Sequence, residues 1–389
     1  MYGNILIEMF IVFLLILFSP ILARLFKIPV IVIETLLGIV LGPSFLCLVR
    51  EEKWLSAMAL MGFIYLMFVV GLEVEVSLLK TEFLKIAAIA LGSFTTPLVL
   101  GYIVALYYSL PPEFIGVSLS TTSMGVVLPT VKEFSGRKEV SKVLLGAAIL
   151  VDMMSMLALA YIIEKRYLSL DKMILLLVSV IGLTLIIASL RKWRPAKTKL
   201  SALTSEHHLD VRLCIALIFG FAVLAEFVGI HAILGAFAAG LLISELKEKV
   251  EGLVEKLLGF GYGFFIPIFF ITVGVRTNLG LVLGSIRGIE ILVVLFLVGF
   301  MGKILGTSLT STLFGFTKYE SLSMGFAMSA RLSLIIAAAE LGLAVGLISL
   351  EIYSMLVLLA IISVLLSPLL AKLVIGKEVV KVSKETPIL

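Results

Sequence analysis

Asp152 sits inside the apolar run at 143–161, VLLGAAILVDMMSMLALAY, which is long enough to cross a bilayer as a helix. A carboxylate in the middle of a membrane helix costs about 2.5 kcal/mol or more, so such residues persist where they have a use. This one can hold a bare monovalent cation or a proton, but not both at once, and that mutual exclusion is the chemistry of exchange. Upstream, SLSTTSMGVVLPTV at 118–131 crowds hydroxyls, Gly125 and Pro129 into another membrane-length run. That composition suits a helix interrupted at mid-membrane, whose freed carbonyls and helix ends hold cations. Thr121, Thr122, Ser123 and, one turn beyond Asp152, Ser155 offer neutral oxygens suited to Na+ or K+. Each alone is satisfied by bonding back to its own helix; as a cluster they are candidate ligands or water-binding groups.

Two further charges lie deep in apolar runs, Lys303 in FLVGFMGKILGTSL and Arg331 in GFAMSARLSLIIAAAELG. Lys303 is either a static counter-charge to Asp152 or a group that competes with the cation or itself carries a proton, since a buried Lys titrates readily. Arg331 stays charged. Flanked by Ser329 and Ser333, it marks a second interrupted helix, where it fixes helix ends or pairs with an acid such as Glu73 or Glu340. Those two carboxylates, near span ends, are structural acid candidates. Glu34 and Glu8 lie in the first two spans. His207 and His208, adjacent to one another and close to Asp210, lack metal-binding spacing and read as loop.

The elements that carry these groups follow from composition. The 389 residues are 61% hydrophobic and 15% charged, with mean hydropathy +1.21, whereas soluble domains run near 25% charged. An all-α polytopic membrane protein is the reading. The net charge of +5 therefore marks loops rather than nucleic-acid affinity. Cys47 and Cys214 accompany apolar runs and form no CxxC or disulfide framework. No HExxH, GxSxG or Walker A sequence is present, which excludes the usual enzyme classes and calls for no cofactor. The first run has no basic leader and no cleavage site, so it is expected to be retained.

Membrane-length runs fall near 4–25, 29–48, 55–74, 84–108, 113–133, 140–163, 171–190, 211–228, 230–245, 256–275, 287–313, 320–344 and 348–374, about thirteen transmembrane helices. The eighth and ninth nearly fuse at Gly229. With the N-terminus outside, Lys and Arg favour the inner loops about threefold. A multi-pass protein of the cell membrane with a cytoplasmic C-terminus is expected. LLGIVLGP (36–43) with MFVVGLEV (67–74) is echoed by ILGAFAAGL (233–241) with FFITVGVR (269–276). Seven crossings separate the second and ninth spans, so the copies have opposite topology, a plan of secondary transporters. Glycine spacing by itself also serves close helix packing.

The runs RLFKIPVIVIETLLGIVLGP (24–43), LMFVVGLEVEVSLL (66–79), AEFVGIHAILGAFAAGLLIS (225–244) and FFIPIFFITVGVRTNL (264–279) closely resemble the monovalent cation:proton antiporter superfamily, nearest the NapA-type Na+/H+ antiporters and the Kef potassium efflux systems. The resemblance spans nearly the whole chain. It implies a thirteen-helix NapA/NhaA-like fold with inverted repeats and two broken, crossing helices, assembled as a homodimer in lipid. Helices in 1–80 and 171–250 would form a dimerisation domain, and those in 84–163 and 256–375 a core that moves like an elevator. Asp152 aligns with the family's ion-binding acid and Lys303 with its core lysine. NapA-type antiporters carry a second acid where this chain has Val151. A single carboxylate makes one-for-one, electroneutral exchange of Na+ or K+ for H+ the simpler expectation. With no Kef-type nucleotide-binding domain expected after the last helix, ligand-gated K+ efflux is disfavoured unless a separate subunit supplies that domain. A passive cation channel is the other alternative, although no repeated carbonyl or acidic ring is visible.

Overall fold

The computed structural model of the chain describes residues 2–73, 82–131, 137–164, 208–228, 231–244 and 252–385. These residues build helices and no strand: α1 (Tyr2–Phe26), α2 (Val30–Leu41), α3 (Lys53–Leu72), α4 (Phe83–Tyr107), α5 (Pro112–Ser120), α6 (Met124–Val131), α7 (Lys138–Glu164), α8 (Leu209–Val228), α9 (Ala232–Ser244), α10 (Leu253–Phe260), α11 (Ile266–Arg276), α12 (Leu279–Leu283), α13 (Ile286–Leu313), α14 (Lys318–Met328), α15 (Ser333–Ala344) and α16 (Leu350–Glu385). A π-helical turn, Gly261–Phe265, joins α10 to α11. The starts are chemically marked. Pro112 occupies the first turn of α5, where its missing N–H costs nothing. Thr317 and Glu320 form a reciprocal capping box on α14.

Among the described residues, eight helices are long and apolar enough to cross a membrane. The remaining expected spans differ for visible reasons. α2 and α9 are short apolar helices, α8 carries Asp210, Arg212 and Glu226 within its 20 residues, the 113–133 run is split into α5 and α6, and the run at 171–190 and the junction at Gly229 lie outside the described residues. Large apolar side chains such as Phe10, Leu84, Phe227 and Leu313 face outward, as a lipid-facing surface requires.

Contacts divide the chain into two compact units, 1–74 with 164–275, and 75–163 with 276–389. In the first, the repeated sequence motifs pair crosswise. A methyl group at Gly38 would strike the Ile271 carbonyl, and one at Gly274 the Thr35 carbonyl. Likewise Gly71 abuts the Phe237 carbonyl and Gly240 the Phe68 carbonyl. Only glycine permits backbones to cross this closely. The sequence grouping of 256–275 with the later helices differs from this packing. Residues up to 275 belong to the first unit, held there by the Gly38–Gly274 crossing and by Tyr65, whose hydroxyl donates to the Leu257 carbonyl at 2.9 Å.

In the second unit α13 lies along α4. Gly306 meets the Gly92 carbonyl, and Gly302 packs on Pro97. An apolar cluster of Ile86, Ala90, Val127, Val151, Met324 and Met328 ties α4, α6, α7 and α14 together.

Candidate functional site

Every group of the site lies in the second unit. α5 stops at Ser120 because Ser120, Thr121, Thr122 and Ser123 supply side-chain partners that compete with the helical ladder. Thr121 is extended at ψ 157°, and α6 resumes at Met124. The second interruption runs from Ser329 to Leu332, between α14 and α15. The two interruptions cross and bond directly. Ser123 N donates to Ala330 O at 2.9 Å, and the Thr122 hydroxyl donates to Met328 O at 3.3 Å.

Arg331 stitches this crossing together. It is fully buried. Its Nε donates to Leu119 O at 2.8 Å, Nη2 to Gly299 O at 2.6 Å and Nη1 to Ser329 O at 3.3 Å. These carbonyls lie at or near helix C-terminal ends and in α13, where a rigid cationic fork is favoured by the helix dipole and by the donor geometry. Its own backbone is held by Ser363 of α16, which accepts from Arg331 N and lies 3.1 Å from Arg331 O.

Lys303, also fully buried, points from α13 into the first interruption. Its ammonium donates to Thr122 Oγ1 at 2.6 Å and to Ser93 Oγ at 3.3 Å. Asp152 and Arg331 are the charges it interacts with. Ser93 stands four residues before Pro97, whose ring has no N–H to offer the Ser93 carbonyl, so α4 is loosened opposite Lys303.

Asp152 is 9% exposed on α7. The preceding Val151 is buried in the apolar cluster with Val127 and Met328, a setting with no place for a second carboxylate. Ser155, one turn further along α7, and Ser118, in the last turn of α5, carry buried hydroxyls with no hydrogen-bond partner among the described residues. Thr121 donates to Ser118 O at 2.9 Å. Its lone pairs, like one on Thr122, remain open by donor and acceptor count.

Direct bonds thus bring Thr122, Ser123, Lys303 and Arg331 together, and electrostatic interaction links Asp152 to Lys303. The structural acids lie elsewhere. Glu73 caps the end of α3 in the first unit and is hydrogen-bonded to Tyr262. Glu340 pairs with Arg276 and accepts from the Tyr353 hydroxyl, while Arg331 directs its donors at carbonyls. Sequence reasoning did not single out Ser93, Ser120 or Ser363. The signal available was a lone hydroxyl within an apolar run, which describes many serines that only bond back to their own helix.

Membrane-length helices in which two interrupted segments cross beside a buried acid and two buried cations are the build of secondary transporters. The chain belongs to the family described as sodium/hydrogen exchanger, transmembrane, whose model matches residues 12–372, within the monovalent cation:proton antiporter superfamily. It is 30% identical over 372 residues to the probable Na(+)/H(+) antiporter 3 of Methanocaldococcus jannaschii, covering 93% of this chain and 95% of that one. It is 29% identical to the Na(+)/H(+)-K(+) antiporter GerN of Bacillus cereus, covering 89% of each. Among solved structures, the sodium proton antiporter MjNhaP1 from Methanocaldococcus jannaschii shares the fold, with TM-score 0.65, 18% identity, and coverage of 95% and 98%.

Proposed function

We propose that the chain is a secondary active transporter that exchanges Na+ for H+ across the cell membrane, with Asp152 as the site that cation and proton occupy in turn. The observation that carries this reading is the crossing of two interrupted helices, where Lys303 rests on the neutral hydroxyls of Thr122 and Ser93 beside one buried carboxylate. Thr121, Thr122, Ser123 and Ser155 are the neutral oxygens around a cation on Asp152. Lys303 and Arg331 balance the charge. Because Val151 is apolar, we assign one Na+ per H+ and electroneutral exchange. The name of the GerN relative favours K+ as a second cargo.

The compact unit that carries all these residues is the moving one in an elevator cycle. The other provides a homodimer contact, within a thirteen-span NapA/NhaA-like plan with the N-terminus outside and the C-terminus cytoplasmic.

The test is purified protein in liposomes with a trapped pH dye. Na+ addition should move protons in the native protein, whatever the membrane potential clamped by valinomycin. Asp152→Asn should abolish that flux in a folded protein. Undiminished flux in the variant removes Asp152 from the cycle, stimulation by potential overturns electroneutrality, and flux that merely dissipates gradients is a channel's.

A further inference from the structure

Glu34 lies outside the transport site, in α2 of the first unit, and is only 3% exposed. Among the described residues its carboxyl has one hydrogen-bonding partner, the Ser19 hydroxyl of α1, with Oγ 3.2 Å from Oε1. Ser19 Oγ also lies 3.2 Å from the Ile16 carbonyl. A hydroxyl has one proton and two lone pairs. If Glu34 were a carboxylate, Ser19 would face two acceptors with a single hydrogen, and one acceptor would go without. If Glu34 carries the proton, its O–H donates to Ser19 and Ser19 donates to Ile16 O, so neither Ser19 contact is left without a hydrogen.

The surroundings point the same way. From α1 the neighbour is Ser19, with Arg24 exposed more than a turn further on. From the π-helical turn comes Tyr262, which interacts electrostatically with Glu34, and from the end of α3 comes Glu73, bonded to Tyr262. Tyr262 is an uncharged phenol and Glu73 an acid, so neither brings a positive charge to Glu34. The α11 segment that crosses α2 at Thr35 and Gly38, residues 268–275, contains no titratable side chain. Buried charges are paired, and here no basic group pairs with Glu34 among the described residues.

We propose that Glu34 is a proton-binding site in its own right, occupied at neutral pH and separate from Asp152. Its ligand is a proton rather than a metal ion, since among the described residues a bare cation would find this one carboxyl, the Ser19 hydroxyl and the Ile16 carbonyl beside it. Loss of the proton at alkaline pH would leave a carboxylate between α1 and α2, one turn from the Gly38–Gly274 crossing, and the first unit would loosen. The proposal does not depend on the transported ion.

Infrared spectroscopy of the purified protein tests it. A protonated carboxyl C=O band should persist through neutral pH, vanish in Glu34→Gln and shift in Ser19→Ala. Glu34→Gln mimics the neutral acid, so it should melt with the native protein at neutral pH, retain Na+-driven proton flux, and resist the alkaline loss of melting temperature expected of the native chain. Absence of a Glu34-dependent band, or a Glu34→Gln variant with an unchanged alkaline loss, overturns the proposal.

Discussion

Removing one hydroxyl, in Thr122→Val, separates the roles gathered at the first interruption. Valine keeps the volume and branching of threonine but can neither accept from Lys303, now at 2.6 Å, nor donate to Met328 O, at 3.3 Å. The longer neutral bond contributes about 1 kcal/mol, whereas a hydrogen bond to a charged group contributes about 1.5–3 kcal/mol, so the lysine contact decides the outcome. With Ser93 left at 3.3 Å, the ammonium is drawn toward Asp152, the acid it interacts with among the described residues. There, on the proposed function, it would compete with the incoming cation. The expected result is a KM for Na+ raised about 10- to 150-fold, since each 1.4 kcal/mol is a factor of ten, with a smaller change in maximal rate. Thr122→Ser restores the hydroxyl and should remain close to the native protein. The assay is initial proton flux against Na+ concentration in proteoliposomes, with melting temperature in detergent as a check on folding. A folded Thr122→Val protein with native KM and rate would refute the idea that this hydroxyl holds Lys303 off the acid.

The crossing of the repeated motifs predicts opposite signs for one substitution at two glycines. Gly240→Ala drives a methyl into the Phe68 carbonyl and Leu72 N and should destabilise by about 1–3 kcal/mol, whereas Gly220→Ala, with no atom within 4 Å, should be neutral or stabilise by up to about 1 kcal/mol; thermal melts of the pair compare them directly. Ser363→Ala leaves both backbone groups of Arg331 without their hydroxyl, a loss of about 1–3 kcal/mol for each orphaned group, and should lower both melting temperature and exchange rate. Ser363→Thr should restore both; if Ser363→Ala exchanges like the native chain, the second interruption does not need this clamp.

The membrane class, the interrupted helices and the unusual buried charges were legible in the sequence because each is local. An acid within an apolar run, hydroxyls crowded beside Gly125, and serines around Arg331 all break the rules of a lipid-embedded helix within a few residues. The repeat was legible as spacing, but its crosswise pairing was not. Matched copies of a motif say nothing of which copy packs on which, and Gly38 meets Gly274 rather than Gly71. The partners of Arg331 were not legible for a different reason. Charge suggests an acid such as Glu340, yet the groups it satisfies are carbonyls at Leu119, Gly299 and Ser329, which every residue possesses. The partner of Glu340 is Arg276, at the end of a span, where the sequence offered several equivalent choices. Ser93 and Ser363 matter only because of what faces them from helices distant in sequence.

The two interruptions are built alike, and the likeness gives a reason for their difference. Ser120 reaches the carbonyls of Gly116 and Phe94, as Ser329 reaches those of Gly325 and Phe300. Counting two residues on from each serine gives Thr122 and Arg331, and counting one back gives Leu119 and Met328. Thr122 donates to Met328 O and Arg331 to Leu119 O, so each interruption seals the carbonyl end of the other. The residues before Phe94 and Phe300 are Ser93 and Gly299; Lys303, seated on Thr122, reaches the first, and the Arg331 guanidinium reaches the second. Thr122 and Lys303 together therefore do what Arg331 does alone. A guanidinium keeps its proton and grips through a rigid fork, so the second interruption carries a permanent charge. An ammonium on a flexible stem, resting on a hydroxyl, can leave or lose its proton without breaking the contact between Thr122 and Met328. The interruption with the removable charge is the one whose lysine interacts with Asp152, which is where the proposed exchange needs a cation to be replaceable.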